Sequence, residues 1–149
     1  MKPNNFFYVK CLSDVKFLRS WVEFLTPYHR LTSREKDVAA RILQQYFKIM
    51  DSVPPGSDPD VVNELLWSRN SRKDMMASLE MTQAHFQMSI GKLKSQPKDR
   101  AANNSFLQPD GSINPLYIPH TISGDNRLML QVVFDWSSPT HPVGNAQSA

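Results

Sequence analysis

The chain has 149 residues, 40% of them hydrophobic, which describes a folded domain with a buried core rather than a disordered polar tract. A net charge of +3 excludes a histone-like polycation, and no apolar run approaches the roughly 18 residues of a membrane span. Cys11 is the only cysteine, so an intramolecular disulfide and a cysteine-bound structural zinc are both excluded, and a reducing compartment is expected.

The opening MKPNNFFYVKCL lacks the long uncharged apolar core of a secretion signal, so a soluble cytoplasmic protein is expected. Residues 6–12 suit a short strand or an apolar lead-in. A helix should begin at Ser13-Asp14, because Val15, Leu18, Trp21, Val22 and Leu25 share one face, and Pro27 should stop it. Thr32-Ser33-Arg34-Glu35 then has the form of a capping box, with Leu31 placed as a hydrophobic staple. Val38, Ile42, Tyr46 and Ile49 follow at helical spacing, so a helix is expected over about residues 33–50, with Val38, Ile42 and Tyr46 buried.

Residues 51–60, with three prolines and three acids, form a linker by composition. Val61, Val62, Leu65 and Leu66 predict a short helix ended by Trp67. Residues 71–95 then predict two helices with a tight corner between them. Ser71 is the expected cap of the first, with Asp74 as its capping-box partner, and Met75, Met76 and Leu79 form its apolar stripe. Thr82 restarts the count, and Phe86, Ile90 and Leu93 point inward. The outward face holds Gln83, Ala84, His85, Gln87, Met88 and Gly91, followed by Lys92 and Lys94. The same stripes also suit two helices of an ordinary bundle.

Downstream, Asp110-Gly111 is a hairpin turn signal, and Leu116–Ile118, between Pro115 and Pro119, allows only a short edge strand. Residues 127–136 alternate Leu128, Leu130, Val132, Phe134 and Trp136 with more polar neighbours, the pattern of a half-buried strand. Residues 137–149 are a polar tail. The expected fold is therefore mainly α with a small β wing, a single winged helix-turn-helix-like domain over residues 1–136.

Residues 75–93 resemble a helix-turn-helix: an apolar pair, a leucine, a corner at Glu80-Met81, a cap at Thr82, and inward Phe86 and Ile90. Helix-turn-helix proteins usually carry alanine where Met76 stands and glycine where Glu80 stands, because the corner often needs positive φ. The words LTSREKDVAARIL look like the scaffold helix of response-regulator-type activators and the last domain of sigma factors. The layout from Leu31 to Trp136 also resembles winged helix-turn-helix proteins of tailed bacteriophages and mobile elements, which serve as regulators, small terminase subunits and parts of the virion neck.

No catalytic or metal-binding constellation stands out among the four histidines, the lone cysteine and the five isolated glycines, so a non-enzymatic protein without cofactor or metal is expected. Double-stranded DNA is the first expected partner. Gln83, His85 and Gln87 would meet base edges, while Lys92, Lys94, Lys98 and Arg100 would lie near phosphates. The alternative is a module in a homo-oligomer or larger phage assembly, with Ala84 and Met88 in a protein contact.

Overall fold

The computed structural model describes residues 14–95 and 104–119. The chain divides into two compact units, Met1–Ile118 and Pro119–Ala149, and every element below belongs to the first. Asp14 opens helix α1, Val15–Phe24, by accepting from the backbone N–H of Lys16. Leu18 and Val22 are its buried residues. Pro27 does not end helical structure here. It stands in the first turn of a short helix α2, Thr26–His29, where its missing N–H leaves no bond unmade. Arg30 ends α2 in the left-handed region at φ 55°.

Helix α3, Ser33–Ser52, is the hub. Its capping box forms as the sequence indicates: Thr32 Oγ1 accepts from the Glu35 N–H, and Glu35 Oε1 accepts from the Thr32 N–H. At 20 residues it is about 30 Å long, and α1 packs along it most extensively. Val38 and Ile42 are fully buried, with Tyr46 half-buried beside them. Arg19 of α1 reaches Asp37 at 2.7 Å, and Glu23 receives both Arg19 and Lys36 at 2.9 Å. These hydrogen bonds, Arg19's first, hold the Glu23 carboxyl down at about 2. The pair network is exposed on the Glu23 side, so it orients α1 on α3 more than it stabilises the bundle.

The proline-rich crossover is shorter than its composition suggests, since α3 runs to Ser52 and α4, Pro59–Leu66, starts on Pro59. Asp58 caps α4, and Val62 and Leu66 pack inward. Helix α5, Arg69–Leu79, is capped by Ser68, not by Ser71 as expected. Ser71 is buried instead: its hydroxyl donates to the Leu65 carbonyl at 2.7 Å and accepts from Gln45 of α3 at 3.2 Å. Helix α6, Gln83–Lys94, is capped by Thr82 and buries Phe86 and Leu93. Between α5 and α6, Glu80 adopts φ 54°, the left-handed conformation that the sequence comparison would have filled with glycine. Arg34 of α3 braces this corner by donating to the Leu79 carbonyl at 2.8 Å.

No wing forms among the described residues. Among the described residues there is no strand, only an isolated antiparallel bridge between Leu107 and Ile113 around the Asp110-Gly111 turn. Gly111 takes φ 88°, so the turn signal is real. Its flanks pair only around that bridge, Gln108 N–H donating to the Ser112 carbonyl and Asn114 N–H to the Phe106 carbonyl, and do not extend into a ladder. The Leu107 N–H donates to the Leu93 carbonyl at the end of α6, and Pro115, lacking an N–H, begins a 3₁₀ turn over Pro115–Tyr117. Phe106, Leu107, Ile113 and Tyr117 are buried, so this arm is a packed irregular segment rather than a ladder. The expected strand over residues 127–136, the boundary after Trp136 and the positions of Lys98 and Arg100 lie outside the described residues.

The fold class is thus corrected from a winged helix-turn-helix to a helical bundle on α3. The likeness to phage and mobile-element winged helices goes with the wing, and so do both functions read from it, a winged-helix DNA binder and a virion component built on that fold.

Candidate functional site

The described residues that the sequence singled out as partner-contacting lie on the outward surface of α6. Each residue of an α-helix advances about 100° around the axis. With Phe86 and Leu93 buried and Ile90 partly so, that rotation sets Met88 and Ala84 furthest from the core. Lys92 and His85 flank them on one side, and Gly91 and Gln87 on the other. Gln83 and Lys94 lie further round, toward the bundle. All of Gln83, Ala84, His85, Gln87, Met88, Gly91, Lys92 and Lys94 are exposed, and Met88 is 59% so. The residues expected to read bases therefore occupy the flanks of the helix, while its outermost line is apolar.

Gly91 is the second unexpected feature. A glycine in a helix interior is unfavourable by about 1 kcal/mol relative to alanine, so it normally answers a local need. A Cβ at Gly91 would meet nothing within 4 Å, so the chain's own packing places no such demand. Gly111 is different. Its Cβ would lie 3.0 Å from the Trp67 indole nitrogen, which donates to the Gly111 carbonyl at 2.7 Å.

Beside the Gln87–Gly91 edge lies a cleft of about 290 Å³, bordered by Trp67, Arg72, Phe86, Lys94 and Gly111. Sequence reasoning missed Trp67 and Arg72, whose spacing across the α4–α5 junction carries no recognisable motif. Arg72 Nε donates to the Trp67 carbonyl at 3.0 Å, and its guanidinium lies 5.9 Å from the indole centroid. That leaves the rest of the guanidinium fork turned to solvent. Hydrogen bonds from Ser112 hold the Asp110 carboxyl below the usual carboxylate range, with a smaller contribution from Lys94. Lys92 stands 3.9 Å from Glu35, at the limit of an ion pair. The cleft therefore carries the cations Arg72 and Lys94, while Lys92 lies on the opposite flank of α6.

A second groove of similar volume lies on the other side of the arm, lined mainly by apolar side chains including Tyr46, Met50, Val62 and Ile118. Among the described residues no group of three or more His, Cys, Asp and Glu side chains is placed to hold a metal. His29 is a buried structural histidine, and His85 is exposed on α6. No helix among the described residues is long and apolar enough to cross a membrane. No protein-family model, curated protein or solved structure matches the chain.

Proposed function

We propose that this bundle is a non-catalytic docking module that holds a protein partner along the outer face of α6, in a reducing compartment suited to its lone cysteine. The observation that carries the reading is the apolar outermost line of Met88 and Ala84, with Met88 59% exposed. Gly91 supports it, because a helix-interior glycine with open space around it suits the close approach of another backbone. Lys92 beside that line, with Lys94 and Arg72 beyond its Gln87 side, favours a partner helix whose apolar stripe carries carboxylates along its edges. Duplex DNA suits the geometry less well. Base edges are read by hydrogen-bonding tips at the front of a helix, and here Gln83 and Gln87 stand to the side.

A synthetic amphipathic helix with a leucine stripe and a glutamate rim tests the reading, with the same peptide carrying a lysine rim as its counterpart. The glutamate-rimmed peptide should bind at micromolar concentration by fluorescence anisotropy, and Met88→Glu should weaken it at least tenfold. The lysine-rimmed peptide should not bind. The reading fails if neither peptide binds, and equally if a 20-base-pair duplex binds with strong salt dependence and indifference to Met88→Glu.

A further inference from the structure

We infer that the partner is a second copy of this chain, which presents the outer face of its α4 to α6. This rests on the docking reading above and adds the identity of the occupant. Helix α4 buries Val62 and Leu66, and leaves Val61 44% and Leu65 40% exposed along one flank. Asp60 and Glu64 form the outermost line of the helix next to that flank, with Asp58 at the cap. From Asp51 to Glu64 there are four acids and no base. This surface is an apolar pair with carboxylates along one side, which is the chemistry the α6 face asks for.

Charge decides which faces can meet. Two α6 faces brought together would oppose Lys92 and Lys94 with their own copies. Two α4 faces would oppose Asp60 and Glu64 in the same way. Only the crossed pairing sets Val61 and Leu65 against Met88 and Ala84 while carboxylates meet ammonium groups. The lengths agree: 8 residues of α4 span about 12 Å and 12 residues of α6 about 18 Å, so α4 can lie within the length of α6. Gly91 gives room for the approach.

Two short helices cover less than the roughly 1,000 Å² of a stable interface, so the association is weak and sensitive to salt. Because the two faces are different patches of one chain, the contact is of the head-to-tail kind, which propagates unless a ring closes.

Sedimentation of the full chain tests this. The weight-average mass of the wild type should rise with concentration and fall as salt is added. Met88→Glu blunts the α6 face, and Val61→Asn with Leu65→Asn blunts the α4 face. All three positions are exposed. Each variant alone should remain monomeric. An equimolar mixture should form a 1:1 pair and no more, because each chain then offers only one intact face. Formation of that pair also shows that both variants are folded. The inference is overturned if the α4 variant assembles like the wild type, if the mixture stays monomeric, or if the wild type is monomeric at every concentration. In the last case glutamate-rimmed peptide binding that Met88→Glu abolishes would keep the docking reading and remove only the second copy.

Discussion

His29 occupies the corner between α2 and the cap of α3, and its two ring nitrogens have different duties. Nδ1 faces the Leu31 N–H at 3.0 Å and must accept, so Nε2 carries the proton and donates to the Val22 carbonyl at 2.7 Å. A second proton would turn Nδ1 into a donor facing a donor. Burial pushes the pKa of the ring below 6.5, and the charges of Lys36 and Arg19 add to that, against the Val22 bond and Glu23. The unfolded chain takes up this proton near pH 6.5, whereas the folded ring resists it. Stability should therefore be flat above that value and fall as pH drops through it toward the lowered folded pKa. A tenfold difference in proton affinity between the two states corresponds to about 1.4 kcal/mol. Denaturant melts between pH 7.5 and 5 check this, and His29→Gln should flatten the slope. Parallel losses in both proteins would clear His29 of the effect. Nothing adjacent in sequence identifies His29 as buried, since Val22 and Leu31 become its partners only when α1 and α2 meet. Thr32 and Thr82 were legible as caps because each needs only the amide three residues on. Ser68 and Ser71 both satisfy that rule, and only Gln45, on another helix, selects Ser71 for the interior.

At the scale of single elements, α6 separates what the fold requires from what a partner would require. Gly91→Ala adds a methyl group that meets nothing within 4 Å and removes the entropic cost of glycine in a helix. The isolated chain should gain about 0.8–1 kcal/mol, a rise of roughly 2–6 °C in Tm. Glutamate-rimmed peptide binding should weaken in the same variant, because the methyl group stands at the edge of the Met88 line. A drop in Tm would instead show that the glycine serves the bundle, and the support it lends to docking would be withdrawn. The stripes of α3 and α6 were readable because amphipathic periodicity is a local pattern. The wing was misread for a related reason. Asp110-Gly111 does make its turn, with Gln108 N–H donating to the Ser112 carbonyl at 2.8 Å. The flanks pair for one bridge more, with Asn114 N–H donating to the Phe106 carbonyl at 2.9 Å, and the pairing stops where Pro115, lacking an N–H, turns the chain into a 3₁₀ turn.

For the whole molecule, the arm over residues 104–118 does the work that a sheet would do in a winged fold, by closing the open end of the bundle. Trp21 of α1 donates to the Tyr117 carbonyl at 2.9 Å across 96 residues, and Trp67 donates to the Gly111 carbonyl across 44. Such distant pairings leave no trace in periodicity, so the sequence could indicate a helical core without showing what completes it. The energetic weight of the arm is large. Phe106, Leu107, Ile113 and Tyr117 are each at most 6% exposed. Burying one such side chain contributes about 1.5–3 kcal/mol, and a domain of this size has a net stability of only about 5–15 kcal/mol. Removing four of them should exhaust most of that margin. A fragment ending at Ile118 contains every buried apolar residue among those described and should melt in one cooperative transition. A fragment ending at Ser95 keeps the six described α-helices in sequence, yet it should lose the cooperative transition while retaining partial helicity by circular dichroism. It should also bind an apolar dye at the surface that the arm had covered. If the Ser95 fragment instead melts cooperatively within a few degrees of the longer one, α1, α3 and their neighbours make a sufficient core by themselves. The two tryptophan bonds would then fix the position of the arm without holding the bundle together.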